Sequence, residues 1–423
     1  MNAGRYSGRR QVLWYPNILS PVEYEIMRML LFILLASFSS LVLAQENPAG
    51  LALTQRFGEF IASKDISGAV LMVGTKDAVL YHKALGQANI AEATAMTLDT
   101  RFRIASMTKP ITSMAIMMLQ DDGKLNVTDS VEKHLPEFKN QLIVQSRDAG
   151  KGTITLGKPK RAITVRDLLT HTSGLPSGYP AGAADVYQKR HYTLSETTAL
   201  SSQQPLNFEP GTKWEYCNAG IDTLGRIVEV LSGQSYEAFL QTRLFDKLGM
   251  KHSRFALTPE EAKQLAVVYS KKDGELSVTS SSITGLPKVN KHPIPAAGLV
   301  STAGDMGKLY ACLLNGTVVD GKALLSATAL AEMTKTQTGD IKTGFVDGMS
   351  FGYGFQVVAE PKGATSSLNA GSYGHGGAFA TQGWIDPKAG VYYVLMTQRT
   401  GLANSDASPM RQELQRLGRA LLK

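Results

Sequence analysis

The chain is poor in the residues that would tie it to several common chemistries. It has only two cysteines, Cys217 and Cys312, in 423 residues, too few for a disulfide framework. No His-Glu-x-x-His stretch occurs and the seven histidines are scattered, so metal catalysis has no support and no cofactor is expected. No internal repeat of fixed period and no long low-complexity tract is present. Charged residues make up only 19% against 43% hydrophobic ones, which excludes a disordered chain and fits a globular one. The longest apolar run, Leu30 to Leu43, is shorter than the roughly 20 residues of a membrane-spanning helix.

That run does carry a signal of another kind. Arg28 precedes it, and it ends Val42-Leu43-Ala44 before Gln45-Glu46-Asn47. A basic start, an apolar middle and a small-residue end read as a secretory signal. Residues 1–44 are therefore expected to be an N-terminal extension and leader, with translation starting at Met27 or Met29. Residues 45–423 are expected to form the folded domain, in the periplasm or secreted. A membrane partner follows only if the leader stays uncleaved. Removing the leader lowers the formal net charge from +8 to +6, a modest excess spread along the chain. The densest basic cluster, Lys151 to Arg161, lies among glycines and threonines. It reads as a solvated loop, not a nucleic-acid site.

Apolar periodicity outlines the architecture. Leu51 to Ala62 has helical spacing. Gly68 to Val73 and Ala78 to Ala84 read as a hairpin across Gly74-Thr75-Lys76-Asp77. A helix is expected from Ser106 to Asp122, with Pro110 tolerated in its first turn and Gly123 as its cap. Residues 125–290 read as helices and irregular segments. Strands return at Gly352 to Val358, and Phe379 to Ile385 pairs with Val391 to Thr397. A helix, Arg411 to Leu422, closes the chain. The fold class is α+β: a sheet from both ends of the chain, flanked by helices, with an inserted mostly helical region.

The chemistry is concentrated in Ser106-Met107-Thr108-Lys109. On a helix, residues three apart share a face. Lys109 is then one turn from the Ser106 hydroxyl. Serine needs a base to become a nucleophile, and a lysine that loses its proton in a dry site can be that base. Alone, Ser106 reads better as a helix cap than as a nucleophile. The same spacing at Ser130-Val131-Glu132-Lys133 reads as a solvated helix end. Two more signals lie downstream, Tyr216-Cys217-Asn218 and His375-Gly376-Gly377 before Ala378. Cys217, between two polar site candidates, is expected to be a small buried residue pointing away from them.

Serine and lysine, then tyrosine and asparagine, then a small-residue strand motif resemble the penicillin-recognising serine enzymes. The Tyr-x-Asn form is similar to class C β-lactamases, D-alanyl-D-alanine carboxypeptidases and family VIII carboxylesterases. Two further blocks carry the likeness, Ile163 to Leu175 with His171-Thr172-Ser173-Gly174, and Ala297 to Met306. The similarity covers about residues 50–420. It implies a β-lactamase/transpeptidase-like fold, an antiparallel sheet covered by helices beside a mostly helical region, with the reactive serine between them.

The resemblance also implies roles. Ser106 attacks a carbonyl and forms an acyl-enzyme. Lys109 and Tyr216 share its deprotonation, the base being open between them. The amides of Ser106 and Ala378 hold the oxyanion. Asn218 orients Lys109 or a substrate amide. His375, Gly376 and Gly377 line the substrate edge, where glycines let a substrate backbone approach. β-Lactamases usually place Lys-Thr-Gly there. A neutral His375 offers a carboxylate only a hydrogen bond, although at its ordinary pKa of about 6.5 it would charge toward pH 6. The expected function is therefore an exported serine carboxylesterase. β-Lactamase or D-alanyl-D-alanine carboxypeptidase activity is the alternative, and a non-catalytic binding member of the fold comes third. The partner is a small-molecule ester, β-lactam or D-alanyl peptide, and the oligomeric state is open. The α/β-hydrolase lipases, which also use His-Gly-Gly, are excluded because no Gly-x-Ser-x-Gly elbow follows it.

Overall fold

The computed structural model describes residues 1, 20, 22, 25, 28, 29, 47–279 and 290–423. The chain separates into two units, Met1–Asn47 and Pro48–Lys423. In the first, described positions are few, and the apolar run of the expected leader lies outside them. Among the described residues no helix is long and apolar enough to cross a membrane.

The second unit is built on an eight-stranded sheet. Its strands are β1 (Gly68–Gly74), β2 (Val79–Asn89), β3 (Thr94–Ala95), β4 (Met349–Phe351), β5 (Gln356–Val358), β6 (Tyr373–Gly376), β7 (Gln382–Asp386) and β8 (Val391–Met396). Their order is β4-β5-β6-β7-β8-β1-β2-β3, and every pairing is antiparallel. Both ends of the chain therefore meet at β1 and β8, where Val70 lies opposite Met396 and Val73 opposite Tyr393.

The central strands read as unbroken apolar runs because both sheet faces are covered. Along β8, Val391, Tyr393 and Leu395 enter one core, and Tyr392, Val394 and Met396 the other. Helices α1 (Pro48–Ala62) and α5 (Pro409–Arg419) cover the first face through Phe57, Phe60 and Leu414. On the other side lie α2 (Thr108–Asp121), α3 (Asn218–Ser232) and α4 (Ala303–Leu314), with Ile116, Leu224 and Leu309 in the larger core. Burial of a side chain such as Phe57 is worth about 1.5–3 kcal/mol.

The expected elements mostly fall where the periodicity put them, with three differences. The segment Phe379–Thr381 is a turn, because Ala380 takes φ +60°, so β7 begins only at Gln382. The stretch Lys151 to Arg161 is solvated but not all loop: Thr153–Gly157 pairs with Ile143–Asp148 in a hairpin, Lys151 lies in its turn, and Lys158, Lys160 and Arg161 follow in irregular backbone. A second small sheet forms at Tyr269–Lys272 and Glu275–Val278, joined in parallel by Arg399–Thr400. Both fall at places read as irregular or helical. Cys217 and Cys312 are buried free thiols.

Candidate active site

Ser106 lies in a 3-10 turn, Ala105–Met107, one step before α2 and not at the helix start itself. Ala105 causes the offset. Its φ of +48° is left-handed, a conformation that costs a residue with a side chain about 1–2 kcal/mol. Several contacts hold it there. Ile104 N–H donates to the Leu299 carbonyl (3.1 Å), and Thr108 Oγ1 donates to the Ala105 carbonyl (2.7 Å). Phe102–Arg103 pairs with Val300–Ser301. The Ala297 to Met306 block thus braces the nucleophile turn.

Helix α2 carries Lys109 one turn on, fully buried. Its Nζ lies 3.1 Å from Ser106 Oγ, 2.8 Å from Asn218 Oδ1 and 2.9 Å from the Ala296 carbonyl. It also sits 4.5 Å from the centre of the Tyr216 ring. Burial pushes the Lys109 ammonium down to about 7, partly opposed by the Asp222 carboxylate. Pro110 costs nothing, since the first helical turn has no partners for its donors.

Tyr216 precedes α3 and lines the same cleft as Ser106, whose hydroxyl acts on the phenol. Burial raises the phenol well above its ordinary value. Cys217 caps α3 through its sulfur, which accepts from Gly220 N–H (3.2 Å). Asn218 is therefore the first helical residue and faces Lys109. The His171 block fixes this segment from behind. His171 Nδ1 accepts the Cys217 amide (3.2 Å), the His171 carbonyl accepts the Glu215 amide (2.9 Å), and the His171 ring packs 4.5 Å from that of Tyr216.

The opposite wall comes from β6 and the turn after it. Gly377 N–H donates to the Thr381 carbonyl (2.8 Å), and Thr381 Oγ1 donates to the Ile104 carbonyl (3.1 Å). This clamp sets the exposed Ala378 beside Ser106, in a cleft of about 460 Å³. The Ala378 amide donates to no carbonyl among the described residues, which leaves it free for an oxyanion.

Two expectations at this wall need correction. The glycines do not simply open the strand edge. A Cβ on Gly376 would meet Asp406 Oδ1 at 2.1 Å, and one on Gly377 the Ile104 carbonyl at 2.4 Å. Their small size serves internal close approach. His375 is not exposed to charge toward pH 6. It is buried, its Nδ1 donates to the Gly376 carbonyl (2.6 Å), and its Nε2 has no partner. Burial, helped by nearby Lys109, pushes it down to about 4.

Sequence reading missed four contributors. The Ala296 carbonyl is backbone and carries no residue signature. Asp222, on α3, accepts from Tyr179 (2.8 Å), Tyr187 (2.5 Å) and the Ala296 amide (2.9 Å). An acid among Ile221, Leu224 and Val228 on a buried helix face is a signal that could have found it. Phe345 stacks on Tyr216 at 5.1 Å, and Asp406 lines the cleft. Among the described residues no cluster of three or more histidine, cysteine or acidic side chains could hold a metal.

Comparison with known proteins agrees with this architecture. Protein Rv1367c of Mycobacterium tuberculosis is 30% identical over 360 residues, covering 81% of this chain and 88% of that protein. Esterase EstB of Burkholderia gladioli is 26% identical over 366 residues, with the same coverage of each. Among solved structures, the hydrolase EstCE1 superposes with a TM-score of 0.70 at 24% identity, over 88% of this chain and 98% of that one. Simvastatin synthase LovD from Aspergillus terreus gives 0.72 at 22% identity, over 89% and 98%. These two likenesses establish the β-lactamase/transpeptidase-like fold. The family model described as Beta-lactamase matches residues 53–416, and the chain belongs to that family.

Proposed function

We propose that the chain is an exported serine hydrolase that cleaves carboxylic esters through an acyl-enzyme on Ser106. The observation that carries this reading is the hydrogen-bond arithmetic at Lys109. A neutral lysine has two N–H bonds and one lone pair. As an ammonium, Lys109 donates to the Ala296 carbonyl, to Asn218 Oδ1 and to Ser106 Oγ at 3.1 Å; once it loses a proton, the first two acceptors keep its two hydrogens and the lone pair turns to the Ser106 hydroxyl. With its ordinary value lowered to about 7, about half of Lys109 is in that form at neutral pH. Tyr216, pushed the other way, keeps its proton. Lys109 is then the base and Tyr216 the acid.

In the first step the Ser106 proton passes to Lys109 and Oγ bonds to the ester carbon. Charge collects on the carbonyl oxygen, facing the Ser106 and Ala378 amides. Tyr216 protonates the leaving oxygen as its bond to carbon breaks, and Lys109 returns the proton to Tyr216. Water repeats the sequence on the acyl-enzyme. Esters are favoured over β-lactams and D-alanyl peptides because neutral His375 provides no fixed cation for a carboxylate. Similarity to an enzyme named as an esterase, EstB, supports the same choice. Export rests on the leader pattern in residues 1–44, and a mature chain beginning near Gln45 tests it.

The decisive experiment combines a fluorophosphonate label with a substrate panel. Peptide mapping should place the adduct on Ser106, and Ser106→Ala should lose both label and turnover while staying folded. A short p-nitrophenyl ester should exceed nitrocefin and a D-alanyl-D-alanine peptide in kcat/KM at pH 7.5. An adduct on Ser130, Ser173 or Cys217 would sink the assignment, and a preference for nitrocefin would replace the esterase by a β-lactamase.

A further inference from the structure

The cleft carries one charge that the esterase reading does not use. Among the described residues that line it, none is lysine or arginine. The chain as a whole is basic, with a formal charge of +8, so this is a local departure. The segment Thr400 to Asp406 lines the cleft together with Ser106 and ends at Asp406, an acid buried to 5% exposure at its edge.

Asp406 is held in place on all sides. Gln382 Nε2 donates to Oδ1 (3.1 Å) and Gln356 Nε2 to Oδ2 (3.3 Å). Both oxygens act as acceptors, as those of an ionised carboxylate do. Gln382 is itself fixed, because its Oε1 accepts from Trp384 Nε1 (2.8 Å). The Asp406 amide donates to Asn404 Oδ1 (2.9 Å), and its carbonyl accepts from Arg411 Nη1 (2.6 Å). Gly376 lets the carboxylate approach the strand, since any side chain there would collide with Oδ1. Its two side-chain partners are neutral amides. Arg411 is the nearby cation; it bonds the Asp406 backbone, lies over the Trp384 ring 3.9 Å from its centre, and is attracted by the Asp406 carboxylate, so it offsets part of that charge. Asp406 acts electrostatically on Tyr216 and His375, which places its field within the reacting region.

From this placement we infer that Asp406 sets the charge selectivity of the cleft, which rejects carboxylate-bearing substrates and prefers neutral or cationic esters. The inference rests on the serine-esterase reading and sharpens its substrate class. Neutral His375 only fails to attract an anion. Asp406 repels one, and a like charge desolvated at short range costs far more than a missing attraction. A quaternary ammonium group on the acyl chain would be attracted by the field of the buried carboxylate and by the Phe345 and Tyr216 rings that line the same cleft.

Three esters of similar length test this: p-nitrophenyl butyrate, mono-p-nitrophenyl glutarate and p-nitrophenyl 4-(trimethylammonio)butyrate. For the wild-type protein, kcat/KM should be lowest for the glutarate, by about tenfold or more against the butyrate, and highest for the ammonium ester. Raising the salt from about 0.01 to 0.5 M should narrow the spread, because the Debye length shortens. In Asp406→Asn, which keeps the shape and an acceptor oxygen, the cation-to-anion ratio should fall to within about threefold. The ratio is read, not the absolute rate. Should Asp406→Asn fail to fold, the wild-type ranking and its salt response decide alone. Equal kcat/KM for the three esters, or an unchanged ratio in folded Asp406→Asn, overturns the inference and leaves the esterase standing. Absence of turnover on all three by folded wild-type protein overturns the esterase reading, and the inference falls with it.

Discussion

Lys109 and His375 are both buried beside the reacting hydroxyls, and burial acts on both in the same direction, yet the outcomes are opposite. Desolvation disfavours the charged form of any base. For lysine it starts from 10.5 and arrives at about 7. For histidine it starts from 6.5 and arrives at about 4. Burial therefore turns the lysine into the group that responds to physiological pH and makes the histidine a fixed neutral donor-acceptor. The usual assignment of pH sensitivity to histidine is inverted here. The environment acts alike on both, and the starting value that each side chain brings to it decides which one is left titrating near neutrality.

The strongest way to break this contrast is to remove the responsive base. Lys109→Ala and Tyr216→Phe should each lower kcat by about 10²–10⁴, the range of general acid–base catalysis. If they act as a unit with Ser106, the double variant should be little worse than the poorer single one. By comparison, His375→Gln should cost clearly less than either, since His375 holds no proton that the reaction moves. Near-normal turnover in Tyr216→Phe would remove the phenol from the mechanism.

The pH profile separates the two bases next. Below about pH 7 the log of kcat/KM for a neutral ester should fall with unit slope, as Lys109 takes up its proton. That limb should stay in place in His375→Gln. No separate inflection should arise from His375 between pH 5 and 8, because its change of state lies near 4. A limb that vanishes with His375, or one centred near 6.5, would return the titrating role to the histidine.

How much of this was legible before the structure depended on what each residue needs from its neighbours. Ser106 and Lys109 could be paired from spacing because three residues make most of a helical turn. The displaced turn at Ala105 could not, since no residue type announces a left-handed alanine. Tyr216 and Asn218 stood out only as a motif. Their geometry comes from His171, far back in the chain, which accepts the Cys217 amide. The apolar runs of β1 and β8 exposed the sheet, because two covered faces demand them. The hairpin Ile143–Asp148 with Thr153–Gly157 was hidden for the opposite reason. Thr153, Ile154, Thr155 and Leu156 are all exposed, so no buried face imposes a period of two. Asp406 gave no signal at all. Its side-chain partners, Gln356 and Gln382, lie 50 and 24 residues away, and only the closed sheet brings them together.

The smallest effect concerns stability, and it sharpens the contrast from the other side. A base whose value is lowered on folding binds its proton more weakly in the native state than in the unfolded chain. Between about pH 7 and 10.5 the unfolded chain therefore holds more protons at Lys109, and stability rises with pH across that window. Below it the full cost of burying lysine is present, a ceiling of about 5 kcal/mol at 1.36 kcal/mol per unit. Lys109→Met removes that cost but strips a donor from the Ala296 carbonyl and Asn218 Oδ1, at about 1–3 kcal/mol each. The net gain at pH 7 should then be on the order of 1 kcal/mol, in a variant that has lost its activity. The firmer expectation is the change with pH. Relative to wild type, the stability of Lys109→Met should fall by about 3 kcal/mol between pH 7 and pH 10, so that the variant becomes the less stable protein. Urea denaturation of both proteins at the two pH values measures it. Other lysines and tyrosines titrate alike in the two proteins and cancel. A stability difference that does not move with pH would mean that Lys109 holds its proton through the neutral range, and Tyr216 would become the base.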